Sequence, residues 1–238
     1  MDKYQELKTI IGTAKNIVVF TGAGISVPSG IPDFRSSNGL YNQKSNIQYS
    51  PEEIISRSFF YSHPKEFYEF YKHKMVYPNA LPNAAHFYFT KLNKPVSIVT
   101  QNIDGLHQLA GSKIVYELHG SVLRNYCLKC HKFLPVQTVI NAAEIPYCEC
   151  GGIIKPDVVL YEESLDENCI NHAINAISNA DVLIVIGTSL LVQPAASLIR
   201  FYKNNKLIII NKDKTPYDDY CDLVFNEDVI SVIKKING

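Results

Sequence analysis

The sequence predicts an α/β fold: a Rossmann-like parallel sheet with a smaller lobe made of a four-cysteine zinc-binding insert and a helical segment. Three observations predict it. The uninterrupted apolar runs at 182–186 and 207–210 have the pattern of strands buried on both faces, as in parallel sheets. An earlier run, Ile17-Val18-Val19-Phe20, passes into Gly22-Ala23-Gly24-Ile25-Ser26, the strand and glycine-rich turn that open a dinucleotide-binding unit. Finally, Cys127-x2-Cys130 and Cys148-x-Cys150 bring two thiol pairs from two short turns, the arrangement that closes a tetrahedral zinc site.

Bulk properties narrow the function classes. With 46% hydrophobic and 19% charged residues the chain has the composition of an ordinary globular protein and not of a disordered one. Lys plus Arg, 23, equals Asp plus Glu, 23, so the whole molecule has no electrostatic drive toward nucleic acid or an anionic membrane. Met1 to Lys8 alternates charged and polar residues, and no apolar run approaches membrane-spanning length. The expectation is a soluble, cytoplasmic protein. Such a setting disfavours disulfides, so the clustered cysteines read as metal ligands, whereas Cys169 and Cys221 are small core or surface residues.

Taken in order, residues 2–15 predict a helix, with Tyr4, Leu7, Ile10, Ile11 and Ala14 at three- and four-residue spacing. Ile17 to Phe20 is the first strand. In the turn after it, Val27 stands where the dinucleotide fingerprint has a third glycine, so Gly22, Ala23 and Gly24 read either as a cofactor loop or as a tight structural turn. Pro28, Gly30 and Pro32 then stop any helix. Phe34 and Arg35 supply a ring that can cover a planar heterocycle and a guanidinium that can hold phosphate or carboxylate. The plainer alternative is a core Phe beside a surface ion pair. Ser50-Pro51-Glu52-Glu53 starts a helix with a Ser cap, Pro at the first position and acids in the first turn. From there to His86 the chain is aromatic-rich and helical, with Phe67, Phe70, Tyr71 and Lys74 on one face and most of the rings as packing residues. Pro78 to Pro82 interrupts it, and His86 to Leu92 resumes a helix before the strand Val96 to Val99.

Right after that strand come Thr100-Gln101-Asn102-Ile103-Asp104-Gly105-Leu106-His107 and Glu117-Leu118-His119-Gly120, polar groups in loop-like sequence. Ligands bind outside the carboxyl ends of strands in open α/β sheets, which makes Asn102, Asp104 and His119 candidates for chemistry, with His119 as general base. Equally, Asn102 and Asp104 could cap a turn and His119 be a loop histidine. In the insert all four cysteines would be spent on the metal, leaving no open position, so the zinc would be structural; the second pair is tighter than usual, and the adjacent His131 could replace a thiolate. Beyond it, Asp157 to Tyr161 reads as a strand, Asp166 to Ser178 as a helix, and 181–186 as a buried strand ending in Gly187-Thr188-Ser189, placed to bind phosphate or ribose. A helix from Pro194 to Tyr202, a strand from Leu207 to Ile210 ending at Asn211, a strand from Leu223 to Phe225 and a helix from Val229 to Ile236 complete the chain.

Together Gly22-Ala23-Gly24-Ile25-Ser26, Ile31-Pro32-Asp33-Phe34-Arg35, Thr100 to His107, Leu118-His119-Gly120, the cysteine pairs and Gly187-Thr188-Ser189 closely resemble the sirtuins, the NAD-dependent protein lysine deacylases, from about Ile17 onward and in the family's order. The resemblance implies a bacterial-type single catalytic domain over 1–238. Its large lobe would comprise about 1–34, 91–120 and 156–238, and its small lobe a helical part, about 35–90, and a zinc module, about 121–155. It implies NAD as co-substrate. Gly22, Ala23, Gly24, Phe34 and Arg35 match the cofactor loop, with Phe34 near the nicotinamide and Arg35 near the phosphates. Gln101, Asn102, Ile103 and Asp104 match the segment holding the nicotinamide ribose and carboxamide. Gly187, Thr188, Ser189 and Asn211 would bind the adenosine half, with Asp228 and Val229 near the adenine; His119, with Asn102, matches the catalytic residues. Structural zinc would sit on Cys127, Cys130, Cys148 and Cys150. The partners implied are acyl-lysine proteins or peptides, with no nucleic acid and no membrane.

In the chemistry so implied, the acyl-lysine amide oxygen displaces nicotinamide at the ribose, and a histidine of near-neutral pKa takes a proton from a ribose hydroxyl; the products are lysine, nicotinamide and O-acyl-ADP-ribose. Two departures from the family stand out. Tyr161-Glu162-Glu163 occupies the place of an aromatic-Gly-Glu that lets the substrate backbone lie close. Tyr71 and Lys74 stand where acidic-acyl members have Tyr and Arg, so simple deacetylation is expected, with Lys lacking the bidentate fork. Competing functions are mono-ADP-ribosyl transfer from the same site and a non-catalytic NAD-sensing module.

Overall fold

The computed structural model describes residues 2–34, 36, 39–42 and 49–237. Its main sheet contains β1 (Ile17–Thr21), β2 (Val96–Thr100), β3 (Ile114–Glu117), β7 (Val182–Ile186), β8 (Leu207–Ile210) and β9 (Leu223–Phe225), all parallel, in the order β3-β2-β1-β7-β8-β9. The uninterrupted apolar runs now have their reason. Ile17, Val19, Ile184, Ile186, Ile208 and Ile210 face one core, while Val18, Phe20, Leu183, Val185 and Ile209 face another, so both sides of each strand are covered. On the first side lie α1 (Lys3–Thr13), α5 (Ala84–Thr90) and α9 (Val229–Asn237); α8 (Glu167–Ser178) packs on the second beside a 3₁₀ segment, Ala195–Phe201. The chain steps outward from β1 to β3, then returns to add β7 to β9 on the other side of β1. The carboxyl ends of β1 and β7 therefore form the switch point at which such sheets bind ligands.

A three-stranded antiparallel sheet forms the second unit: β5 (Phe133–Pro135), β4 (Gly120–Cys127) and β6 (Ile154–Val158), in that order, with the short helix α7 (Val136–Ile140). It shares a core with α2 (Pro51–Ile54), α3 (Arg57–Ser62) and α4 (Pro64–Lys74), in which Phe60, Phe67, Tyr68 and Tyr71 are buried together. Ser50 caps α2 as its sequence requires, accepting from Glu53 N while Glu53 reaches back to Ser50 N, a capping box. The helical stretch after it is broken where the sequence reads as continuous. His63 stands before Pro64 at φ −134°, ψ 58°, since the proline ring disfavours helical backbone in its predecessor, and Pro64 starts a new helix.

Three further assignments need correction. The strand expected at 157–161 lies three residues earlier, at Ile154–Val158, because β4 pairs there. Beyond it Val159 N donates to His119 O (3.0 Å) and Tyr161 N to Ile55 O (3.0 Å), so the extended chain changes partners and leaves the sheet. The helix expected over 194–202 is a 3₁₀ helix at Ala195–Phe201, with Ser197 N bonded to Pro194 O. Glu117 and Gly120, expected in a loop, end β3 and begin β4. The crossing between the two sheets is thus reduced to Leu118 and His119, and it is clamped. Arg124 donates through Nη1 to Glu117 (2.6 Å) and through Nε to Asp157 (2.7 Å). Gly120 sits at φ +73°, and a Cβ there would meet the Asp157 carbonyl oxygen at 1.9 Å; only glycine lets β4 pass so near β6.

Candidate active site

A cavity of about 870 Å³ opens at the switch point and runs between the two sheets. Among the residues singled out from the sequence, Ala23, Gly24, Phe34, Gln101, Asn102, Ile103, Asp104, His119, Gly187, Thr188, Ser189, Asn211, Asp228 and Val229 all line it. Arg35 lies outside the described residues. Gly22 does not line the cavity. A Cβ on Gly22 would meet Thr188 Cβ at 2.7 Å, and one on Gly24 would meet Gly187 Cα at 2.6 Å; their amides donate to Ile186 O (3.0 Å) and Gly187 O (2.8 Å). These two glycines press the β1 loop onto the β7 loop, so the structural-turn reading holds for Gly22, whose N–H is not free for a phosphate.

Gln101 is the junction. Its N–H continues the β1 ladder to Thr21 O (2.9 Å), its side-chain amide reaches Thr188 Oγ1 (3.1 Å), and its carbonyl meets His119 Nδ1 at 2.9 Å. A carbonyl only accepts, so in the neutral ring Nδ1 carries the hydrogen and Nε2 keeps its lone pair. Burial holds the His119 pKa below the ordinary imidazole value, opposed by the Gln101 carbonyl, which favours the cation. His119 is thus a neutral ring with one tautomer, a basic nitrogen available and an address on the cavity wall.

Asn102 and Asp104 are joined through Ser26. The Ser26 hydroxyl gives its hydrogen to Asp104 Oδ2 (2.7 Å) and is 3.2 Å from Asn102 Nδ2. With its hydrogen spent, Ser26 can only accept from Asn102, which sets the amide's orientation and leaves Oδ1 as the atom Asn102 can present. Burial pushes the Asp104 pKa up, while the Leu106 N–H and the Ser26 hydroxyl pull it down. Capping and chemistry coexist here, since Asp104 Oδ1 also accepts from Leu106 N (2.9 Å) at the start of the short helix α6 (Leu106–Leu109). Ser26 is a member that sequence reasoning missed. Its position in the motif around Gly24 was visible, but its partner lies 78 residues away.

Behind Asn102 runs a second buried chain. Asn102 N donates to Thr100 Oγ1 (3.0 Å), Thr21 donates to Thr100 Oγ1 (2.8 Å), and His107 Nε2 meets Thr21 Oγ1 at 3.0 Å. His107 packs edge-on against His86, ring centroids 4.9 Å apart, and both are buried. Burial lowers the His86 pKa to about 4 and that of His107, with the neighbouring imidazole, to about 3. A histidine lowered in the fold costs nothing above the unfolded value, about 6.5, where both states are neutral; below it the unfolded chain takes protons that the fold refuses. Stability should therefore fall by about 1.4 kcal/mol per pH unit for each histidine as pH drops from about 6.5 toward their folded values. The check is imidazole NMR, in which both rings stay neutral down to pH 5, together with a urea midpoint lower at pH 5.5 than at 7.5; titration of either ring near 6.5 in the folded protein would contradict it.

Away from the cavity, Cys127, Cys130, Cys148 and Cys150 place their sulfurs within 4.8 Å of one another, with Cys127–Cys150 at 3.4 Å and Cys130–Cys148 at 3.7 Å. Tetrahedral zinc with Zn–S bonds of about 2.3 Å needs S–S separations of about 3.8 Å, so the four thiolates fit the ion. Among the described residues His131 is not part of the cluster. The tight second pair works because Gly151 takes φ +79° and Gly152 leaves room for Cys127 Sγ. At the acyl-pocket positions, Lys74 lines the cavity but Tyr71 does not: it is fully buried, stacked on Phe67 at 5.6 Å. Tyr71 is thus packed among the aromatic rings, while Lys74 faces the cavity.

The profile of the Sir2 family matches residues 22–194. An NAD-dependent protein deacetylase of Clostridium perfringens (strain 13 / Type A) is 56% identical over 240 residues, covering 99% of this chain and 98% of that one. One of Staphylococcus aureus (strain COL) is 46% identical over 236 residues, with 98% and 97% covered. Among solved structures, Sir2 with p53 peptide and NAD+ superposes at a TM-score of 0.83 with 39% identity, covering 98% of this chain and 96% of that one. Sir2 bound to acetylated peptide does so at 0.83 with 38% identity and the same coverage.

Proposed function

This chain belongs to the Sir2 family, and from that premise we infer how its own residues carry out NAD-dependent protein lysine deacetylation. The observation that carries the reading is the convergence on one cavity of a neutral histidine whose Nε2 is unbonded among the described residues, an oriented Asn102 amide and the Thr188–Asn211 end of the sheet. NAD would lie along the switch point. Thr188, Ser189 and Asn211 would meet its adenosine half, Asp228 the adenine end, and Gln101, Ile103 and Asp104 its nicotinamide half. Phe34, in edge contact with Tyr41 (5.5 Å), would cover the nicotinamide and keep water from the reacting carbon.

His119 Nε2 would take the proton from a ribose hydroxyl, with Nδ1–H held by the Gln101 carbonyl so that the ring cannot turn its basic nitrogen away. Asn102, fixed through Ser26, would orient the reacting ribose by its Oδ1. When bound, NAD supplies the electrophilic ribose carbon and nicotinamide as leaving group. Zinc would be held by the cysteines as a structural ion, since no cysteine lines the cavity. A single catalytic domain working in the cytoplasm on acyl-lysine proteins is part of the same reading.

The test is nicotinamide release from NAD by purified protein with an acetyl-lysine peptide. Release that depends on the peptide, with a stoichiometric O-acetyl-ADP-ribose product, is the expected result. ADP-ribose attached to a protein instead would favour mono-ADP-ribosyl transfer, and NAD binding without release a sensing module.

A further inference from the structure

Glu162 occupies a backbone conformation that glycine would ordinarily take. Its φ is +72°, in the left-handed region disfavoured for residues with a Cβ. The contacts that hold it there are specific: its two carboxylate oxygens accept from Ser58 N and from Ser58 Oγ, each at 2.8 Å, in the first turn of α3. The preceding residue is fastened to the same segment, with Tyr161 N donating to Ile55 O and Arg57 N to Tyr161 O, both at 3.0 Å. The next residue turns inward, where Glu163 accepts from Leu160 N (2.9 Å) and from Lys155 (3.0 Å). Upstream, Val159 N donates to His119 O at 3.0 Å. The stretch from 158 to 162 therefore forms a cavity wall tied to His119 at one end and to α3 at the other.

We propose that Glu162 is a positioning residue for the acyl-lysine polypeptide, acting as a latch on Ser58 that holds the wall segment 158–161 in register with His119. The proposal rests on the deacetylase reading. The Glu162 side chain is drawn to Ser58 on α3 and not left free over the segment, at the place where the family's usual glycine has no side chain. The latch does by side-chain bonding what glycine does by lacking a side chain, and it adds rigidity that glycine cannot supply. Because the latch's own bonds, to Ser58 N and Oγ, touch none of the residues placed at NAD, the effect is expected on the peptide and not on NAD.

Glu162→Ala keeps the Cβ, and with it the left-handed strain, but removes the latch; Glu162→Gly removes both. The expected result is a peptide KM raised roughly tenfold in Glu162→Ala and less in Glu162→Gly, with NAD KM within about twofold of wild type in both. Ser58→Ala, which keeps the N–H but loses the hydroxyl, should fall between wild type and Glu162→Ala. An equal peptide KM in wild type and Glu162→Ala, or a parallel rise in NAD KM, would overturn the proposal. Peptide affinity is also read without turnover, from the fluorescence anisotropy of a labelled acetyl-lysine peptide. A wild type that binds this peptide but releases no nicotinamide counts against the deacetylase reading alone, while the same tenfold comparison among variants still decides the latch.

Discussion

Replacing His119 by alanine is expected to lower the formation of O-acetyl-ADP-ribose by ~10²–10⁴-fold, the usual range for a positioned general base. Zinc content and the affinity for NAD should change little, because among the described residues the ring's one bond is to the Gln101 carbonyl and that strand is held independently through Thr21. The pH profile provides the finer check. The base works as the neutral ring, and burial holds its pKa below the ordinary value. The acidic limb of kcat/KM should therefore fall below pH 6.5, about the unperturbed imidazole value, with activity flat from there through neutrality. In His119→Ala that limb should disappear along with the rate. A variant with undiminished turnover, or an acidic limb above 7 in the wild type, would show that His119 is not the base.

Stripping the metal is expected to have the second largest effect. Cys127 and Cys148 are buried in the same core as Phe67, Tyr68 and Ile154, and Lys72 fastens α4 to the module through the carbonyls of Ala142 (2.5 Å) and Glu144 (2.8 Å). Structural zinc contributes about 10–16 kcal/mol in zinc-finger peptides, far more than a handful of exposed contacts could replace. Chelation, or Cys127→Ser, should release zinc, unfold the module and abolish deacetylation together. Restoring Zn²⁺ should recover the chelated wild type and not the variant. Full activity after complete metal removal would mean that packing alone holds the lobe. The buried imidazoles behind Asn102 set the opposite boundary, since their protonation threatens the large core and not the module.

Much of the site was legible in the chain because the motifs fall at strand ends. Thr100 and Ile186 each close a β-branched run, so the polar residues after them had to emerge at the same edge of a parallel sheet. Ser26 and Gly22 show where such reading stops. Both belong to the glycine-rich turn, but one orients Asn102 through a hydroxyl while the other only admits Thr188. Composition and spacing do not distinguish those roles, because each is set by which distant loop arrives opposite. Tyr71 and Lys74 make the same point on one helix face: a turn apart, one ends in an aromatic core and the other at the cavity.

By itself, then, the sequence determined the buried strands, the capping box at Ser50, the four thiolates and the family to which the chain belongs. These follow from local terms, β-branching, periodicity, cap chemistry and ligand spacing, whose partners lie nearby in the chain. Only the tertiary structure decided which nitrogen of His119 is basic, which way the Asn102 amide faces, and that Glu162 is held in a glycine's conformation by Ser58, 104 residues away. Those outcomes depend on hydrogen bonds between segments that the fold alone brings together, and no local preference encodes them.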